Sequence, residues 1–442
     1  MSTKLSRRDF IRFSAAGAAG AMLMPSTLVA ATQNSARKTG ANDTINIGFI
    51  GLGQQAMSLL RSCLAIPTGV RVVAGADLYD VKRARFEKRV KAHYAEAKQR
   101  VDVKTYERYQ DLLARPDIDG VVIATPDHYH ALIAIAACRA GKDVYLEKPM
   151  TFTIYEGQQL IEAVRANNRI LQVGSQQRSS AEFLHVAGLI REGGLGNIQR
   201  VKVYVGDPAA PIPYDLPEQP VPAGLDWDVW HGPLAQKFHF NNDLNPIISA
   251  TDEREKVWGA WRWYQGLGGG YMTDWGAHMF DIAQWALGKD DSGPVEIIPP
   301  GFSYHDHLTY KYDNGTVMTQ QEFDGKKQGC KFYGDNGWIQ VRRGEVLASD
   351  PAFLPKASAS DDVPYETNVP HMQTFINSMR SRRDPNVTVE IGHSSCTVCN
   401  LGNIAYELGR PLKWNPIVQK FMGNDTEATS RLHYQYRAGY SL

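Results

Sequence analysis

The sequence predicts an α/β chain: an N-terminal doubly wound Rossmann domain with a parallel sheet, then an α+β domain with an open, mostly antiparallel sheet. Three observations carry this expectation. Between residues 45 and 173, short β-rich runs alternate with helical stretches, the pattern of βαβ units. Beyond residue 174 the alternation stops, and Pro208, Pro211, Pro213, Pro217, Pro220 and Pro222 break up a long irregular stretch. Further on, Asp313-Asn314-Gly315, Asp324-Gly325 and Asp335-Asn336-Gly337 separate strand-like runs, as hairpin turns do.

Taken in order, the apolar run 45–50 reads as a strand and 54–65 as a helix. The same logic gives strands at 70–76, 120–124, 144–146 and 170–173, with helices at 80–97, 129–140 and 153–167 between them. In the second part, strands are expected at 307–312, 316–323 and 337–342, and helices at 274–287 and 393–408. Seven of the nine tryptophans fall between 227 and 285, so aromatic packing concentrates where the chain is least regular.

The first residues have a different character. Ser6-Arg7-Arg8-Asp9-Phe10-Ile11 has the form of a twin-arginine leader, with Lys4, Arg7, Arg8 and Arg12 as its basic region. Residues 15–24 form a short, weakly apolar stretch and Val29-Ala30-Ala31 a small-residue cleavage site. That stretch is too short and too rich in Gly and Ala to span a bilayer. The predicted organisation is therefore a signal peptide at 1–31, a polar linker at 32–43, a dinucleotide-binding domain at 44–173 and a second domain at 174–442. Periplasmic or exported localisation is expected, with the membrane met only during export.

Composition excludes several classes. The chain carries +1 at pH 7; the leader's four basic residues against Asp9 leave the remainder near −2. No case arises for nucleic acid or an anionic membrane. Five cysteines are few and odd in number, which argues against a disulfide framework. Cys396-Thr397-Val398-Cys399 lacks a second pair and sits in a helical run, so packing on one helix face explains it better than metal or redox chemistry.

Gly51-Leu52-Gly53-Gln54-Gln55-Ala56 fits G-x-G-x-x-G/A between a strand and a helix. The first Gly serves a tight turn, the second close approach of backbone to pyrophosphate, and the small third residue close helix packing. Asp77 ends the second strand, where an acid accepts from ribose hydroxyls and repels a 2′-phosphate, so NAD is favoured over NADP. A helix N-cap role for Asp77, ahead of Leu78-Tyr79-Asp80, is compatible with this. Thr125-Pro126-Asp127-His128-Tyr129-His130 lies at a later strand's carboxyl end, where such sheets bind ligands; His128 and His130 either line the cofactor or pack the next helix. The cofactor-contacting set is then Gly51, Gly53, Gln54, Gln55, Asp77, Thr125, Pro126, His128, His130, Glu147 and Lys148.

Two clusters could carry chemistry. Lys148 in Glu147-Lys148-Pro149 follows a strand and can donate to a substrate oxygen. In Gly268-Gly269-Gly270-Tyr271-Met272-Thr273-Asp274-Trp275-Gly276-Ala277-His278, Asp274 and His278 are four apart. On one helix they would face the same way, the carboxylate fixing the imidazole as a general base. A surface ion pair is the plainer alternative, and no metal is expected because no further ligand is placed. Trp261, Trp263 and Tyr271 could stack on a sugar ring, and Arg178 could orient the substrate; most of the tryptophans are expected to be core.

These motifs resemble the glucose-fructose oxidoreductase, inositol dehydrogenase and MocA (Gfo/Idh/MocA) family, specifically its secreted bacterial branch. The likeness extends from about residue 44 to 416 and includes Trp261-Arg262-Trp263-Tyr264, His371-Met372 and Gly392-His393. It implies tightly bound NAD(P), a sugar or polyol substrate, and homo-oligomers (dimers or tetramers) formed through the open sheet. It also implies Lys148, Asp274 and His278 as the catalytic set, with His278 the base and Lys148 holding the reacting oxygen. The expected function is an exported oxidoreductase moving hydride between a sugar or glycoside hydroxyl and a retained cofactor, since no soluble nicotinamide pool exists outside. The alternative is a redox-neutral NAD-dependent glycoside hydrolase, a branch the family contains; retention of the Lys148 motif favours the oxidoreductase.

Overall fold

The computed structural model describes residues 44–246, 258–355 and 369–442; the leader at 1–31 and the linker at 32–43 lie outside the described residues. Strand β1 (Ile45–Ile50) opens a six-stranded sheet. It is followed by α1 (Gln54–Leu64), β2 (Val70–Ala76), α2 (Asp80–Glu96), β3 (Lys104–Tyr106), α3 (Tyr109–Leu113) and β4 (Gly120–Ile123). Then come α4 (Asp127–Arg139), β5 (Asp143–Leu146), α5 (Ile154–Ala166) and β6 (Leu171–Val173). All strand pairs in this sheet are parallel and its order is β3-β2-β1-β4-β5-β6. This is the expected doubly wound sheet, with the order reversing between β1 and β4. Strand β3 and helix α3 are not legible in the sequence: one exposed and two half-buried residues, Lys104–Tyr106, leave no apolar run to detect.

The second part begins with α6 (Ala181–Arg191) and β7 (Ile198–Tyr204), passes through α7 (Trp227–Trp230), α8 (Tyr271–Asp274) and α9 (Gly276–Ala286), and enters a nine-stranded sheet. Its other strands are β8 (Glu296–Ile298), β9 (Leu308–Lys311), β10 (Val317–Gln320), β11 (Gly329–Gly334), β12 (Gly337–Arg342) and β13 (Glu345–Ala348). Helices α10 (Val369–Ser381) and α11 (Val389–Leu408) precede the edge strands β14 (Leu412–Asn415) and β15 (Lys420–Phe421). The order is β13-β12-β11-β7-β10-β9-β8-β14-β15, antiparallel except where β10 runs parallel to β7. One face is buried: Val201 and Val203 of β7 pack with Phe280 of α9 and Phe332 of β11, while Arg200 and Lys202 point the other way.

Two late helices return to the first sheet. Met372, Phe375, Ile376 and Met379 of α10 share a core with Ile45, Ile47 and Leu59. Helix α11 serves both cores, burying Val389 and Cys396 beside Val173 and then Val398, Cys399, Leu401 and Ile404 under the second sheet. Cys396 and Cys399 are thus buried residues of one helix, Cys396 donating to the Thr151 carbonyl at 3.0 Å. Among the described residues, no helix is long and apolar enough to cross a membrane.

Candidate active site

The first cavity is built at the carboxyl ends of β1, β2 and β4. Gly51 turns the chain out of β1 with φ of 78°, and a Cβ there would lie 2.7 Å from the Thr125 backbone nitrogen, so only glycine fits. At Gly53 a Cβ would meet nothing within 4 Å; the backbone at the start of α1 is bare, which a phosphate group needs. Asp77 lines the same cavity, one carboxylate oxygen accepting from Leu52 N at 2.7 Å and the other from Tyr79 N at 2.9 Å. It therefore shapes the turn and faces the cavity together. Gln54 Oε1 and Thr125 Oγ1 are buried in these walls without a partner, a cost that a bound polar group would remove. Together these residues fit a dinucleotide.

The irregular stretch from 207 to 246, with 258–267, forms a roof over that cavity. Prolines deny it regular ladder hydrogen bonds, and side chains together with scattered backbone bonds anchor it. Asn241 Nδ2 donates to the Pro217 carbonyl at 2.8 Å, and Arg108 Nη2 to Asp226 Oδ2 at 2.7 Å. Asp80 N donates to Gly224 O at 3.1 Å. Trp227 and Trp230 stack with centroids 4.3 Å apart, and Trp230 reaches the cavity wall. His128 belongs to this anchoring. Its Nε2 lies 2.9 Å from the Trp230 carbonyl oxygen, it lines neither cavity described here, and burial pushes it down to about 3. His130 does reach the second cavity, with its ring nitrogens against the carbonyls of Pro149 and Thr125.

The second cavity, about 610 Å3, adjoins the first and shares Gln54, Gln55, Thr125, Trp258, Trp261 and Arg262 with it. Lys148, Asp274 and His278 all line it, but their pairing differs from the expected carboxylate–imidazole couple. Lys148 Nζ donates to Asp274 Oδ1 at 2.9 Å and to the Asp274 carbonyl at 3.2 Å, while Arg262 Nε lies 3.5 Å from the same carboxylate. The helix is interrupted between α8 and α9, and His278 N donates to Trp275 O, three residues back. Asp274 is therefore turned toward the lysine, and His278 Nδ1 is buried without a partner. Burial and the charges of Lys148 and Arg343 hold His278 well below the usual histidine range, so it stays a neutral ring able to accept a proton.

Glu147 supports this wall from behind, accepting from Gln55 Nε2 at 2.9 Å and Gln176 Nε2 at 3.0 Å. Trp258, Trp261, Trp263 and Trp275 line the cavity with Tyr271, whose ring lies 4.4 Å from that of Trp263. Pro126 lines the first cavity. Arg178 lines neither: its guanidinium takes Asp281 bidentately at 2.9 and 2.8 Å and also Asp290 at 2.7 Å, and it lies over the Trp285 ring. The expected substrate contact is in fact a buried ion-pair network, which Ser395 Oγ completes by donating to Asp281 at 2.6 Å.

Two residues of this site escaped the sequence reading. Arg262 lies over Trp258 and Trp261, centroid distances 5.1 and 4.3 Å; its place inside Trp261-Arg262-Trp263 was the available signal. Asp127 opens α4, is 4% exposed and lines the second cavity. Burial raises its carboxyl to about 8 although Arg262 and Lys148 oppose the rise. A carboxyl raised in the fold contributes stability that is complete below its ordinary value near 4 and is lost as pH climbs to about 8. The stability of Asp127→Asn relative to the parent should accordingly rise between pH 4 and 8, at no more than ~1.4 kcal/mol per pH unit, and level off above. Denaturant melts at matched pH read this; a flat difference would mean that Asp127 titrates normally.

Comparison with known proteins follows the same division of the chain. A family model described as "Oxidoreductase family, NAD-binding Rossmann fold" matches residues 45–175, and one described as "Oxidoreductase family, C-terminal alpha/beta domain" matches residues 213–442, more than half of the chain. The chain belongs to the Gfo/Idh/MocA oxidoreductase family. Within this family, inositol 2-dehydrogenase of Salmonella typhimurium is 30% identical over 154 residues, 35% of this chain and 43% of that protein. A "Glycosyl hydrolase family 109 protein" of a Shewanella species is 29% identical over 211 residues, 44% of each chain. The matches span under half the length of these relatives. Scyllo-inositol dehydrogenase of Lactobacillus casei, solved with NAD(H) and scyllo-inositol, has the same fold: TM-score 0.56 at 16% identity, covering 84% of this chain and 99% of that one. As a family member, the chain carries its NAD-binding domain in residues 45–175.

Proposed function

We propose that this Gfo/Idh/MocA protein is an exported oxidoreductase that oxidises a ring hydroxyl of a carbohydrate with a tightly held NAD. The observation that carries this reading is the adjacency of the two cavities: the glycine-turn cavity opens, past Thr125, Trp261 and Arg262, onto one walled by Lys148, Asp274, His278 and four indoles. When bound, NAD supplies a hydride acceptor; Gly51, Gly53, Asp77, Thr125 and Pro126 would hold it. The neutral His278 ring takes the hydroxyl proton, and Lys148, held in place by Asp274, donates to the carbinol oxygen. The indoles offer flat apolar faces to the C–H face of a sugar ring. Export is supported by the Arg7-Arg8 leader. Homo-oligomer formation is supported by the second sheet, on whose outer face Arg200 is exposed and Lys202 half-buried.

The Shewanella relatives favour a second reading, a redox-neutral hydrolase. Oxidation of a ring hydroxyl acidifies the neighbouring C–H, the glycosidic group leaves by elimination, water adds, and reduction restores the hydroxyl. The net reaction is hydrolysis. One preparation separates these possibilities. The full chain should be recovered from the periplasmic fraction as a dimer or tetramer by light scattering, and should release about one nicotinamide per chain on denaturation. Free sugars should yield ketone in proportion to cofactor reduced; release of aryl alcohol from aryl glycosides without net reduction would favour the hydrolase instead. Cytoplasmic retention removes export, a monomer removes assembly, and failure to bind added NAD removes the whole reading.

A further inference from the structure

Beside the roof, the cofactor cavity is lined by a residue from far outside the Rossmann domain, Tyr440. The segment carrying it leaves the second sheet after the short helix α12 (Thr426–Thr429) and crosses three elements. It is first pinned to the start of α5. Tyr155 N donates to Leu432 O at 3.0 Å, and Tyr436 OH donates to Glu156 Oε1 at 2.6 Å. Glu156 is fully buried and also accepts from Phe152 N and Thr153 N, so this anchor is rigid. The segment is next pinned to the roof: Arg437 N donates to Pro233 O at 2.8 Å and Arg437 Nη1 to Asp228 Oδ1 at 3.0 Å. A turn closed by Tyr440 N on Arg437 O then brings the Tyr440 ring to 5.2 Å from the Arg437 guanidinium. There it packs against the cluster that contains Tyr129 and Ile133, both of which line the same cavity as Asp77.

We propose that residues 432–440 are a latch on the dinucleotide cavity, in which Tyr440 is a cofactor-contacting wall and Arg437 is the residue that positions it. The proposal rests on the cofactor reading above and extends it to retention. Roof and Rossmann domain come from distant parts of the chain, and this segment is fastened to both, so opening the cavity at that wall requires the Arg437 and Tyr436 contacts to break together. A ligand behind such a wall leaves only as fast as the wall opens. An exported protein with no external cofactor pool needs that slow release.

The test uses the full chain loaded with NADH and chased with excess NAD, the fall of bound-NADH fluorescence giving the release rate. Tyr440→Ala and Arg437→Ala are each expected to accelerate release at least tenfold. Tyr440→Phe, which keeps the ring, should stay within about twofold of the parent, and Arg437→Lys, which keeps the charge for Asp228, should recover much of the slow release. Far-UV circular dichroism and thermal melts check that each variant is folded, and Arg437→Ala serves if Tyr440→Ala is not. Release rates within twofold of the parent in the folded alanine variants would overturn the latch while leaving the cofactor reading intact. A parent protein that holds no NADH would overturn both.

Discussion

His278→Ala should lower the rate at which a sugar substrate reduces bound cofactor by about 100- to 10,000-fold, the span that positioned general bases contribute, while nicotinamide content stays at the parent level. The separation is expected because His278 lines the second cavity and is absent from the walls of the first. Its protonation sets the pH dependence. Burial, Lys148 and Arg343 hold the ring well below the usual histidine range, so the acid limb of the rate profile should lie well below pH 6.5 and be absent from the variant's residual rate. Asp274→Asn provides the contrast. Asp274 contacts Lys148 and Arg262 and not the imidazole, so its loss should leave the histidine limb in place. Stopped-flow reduction of the preloaded protein measures both; a His278→Ala rate within threefold of the parent removes His278 as base.

Arg178→Ala should destabilise the protein by about 3–5 kcal/mol, the cost of breaking a buried ion pair from one side. Arg178 and Asp281 side chains are 3% and 1% exposed, and removing the guanidinium leaves Asp281, among the described residues, with the Ser395 hydroxyl. The double change Arg178→Met with Asp281→Leu should recover much of that loss, since apolar groups of similar size often replace such pairs at little cost. Urea unfolding of the three proteins checks this. A single-variant loss under ~1 kcal/mol would mean that water reaches the site and that the pair is not a structural clamp.

The elements legible in the sequence share one property: a run or a period of buried apolar residues within a few positions of one another. Ile45–Ile50 and Gly120–Ile123 are apolar almost throughout because both faces of a parallel sheet are covered, and the glycine turn follows where the strand must end. Strand β3, with one exposed and two half-buried residues, has no such signal. The role of Arg178 has no local signal either. A lone arginine after a strand near the domain junction looks the same whether it meets a sugar or a carboxylate, and its partner Asp281 lies 103 positions away. Asp274 and His278 do not pair at their helical spacing because the helix breaks between them. The lysine that occupies the Asp274 carboxylate and carbonyl is 126 positions distant.

By itself the sequence determined the doubly wound domain, the glycine turn with its acid at Asp77, the open second sheet and the presence of Lys148, Asp274 and His278. Each of these follows from local spacing, because backbone periodicity and tight turns depend on neighbours in the chain. Tertiary structure alone decided who meets whom: Lys148 with Asp274, Arg178 with Asp281, Asp127 buried in the wall of the second cavity, and Tyr440 set into the wall of the first. Hydrogen bonds and ion pairs act over about 3 Å, a distance that only the folded chain sets between residues more than a hundred positions apart.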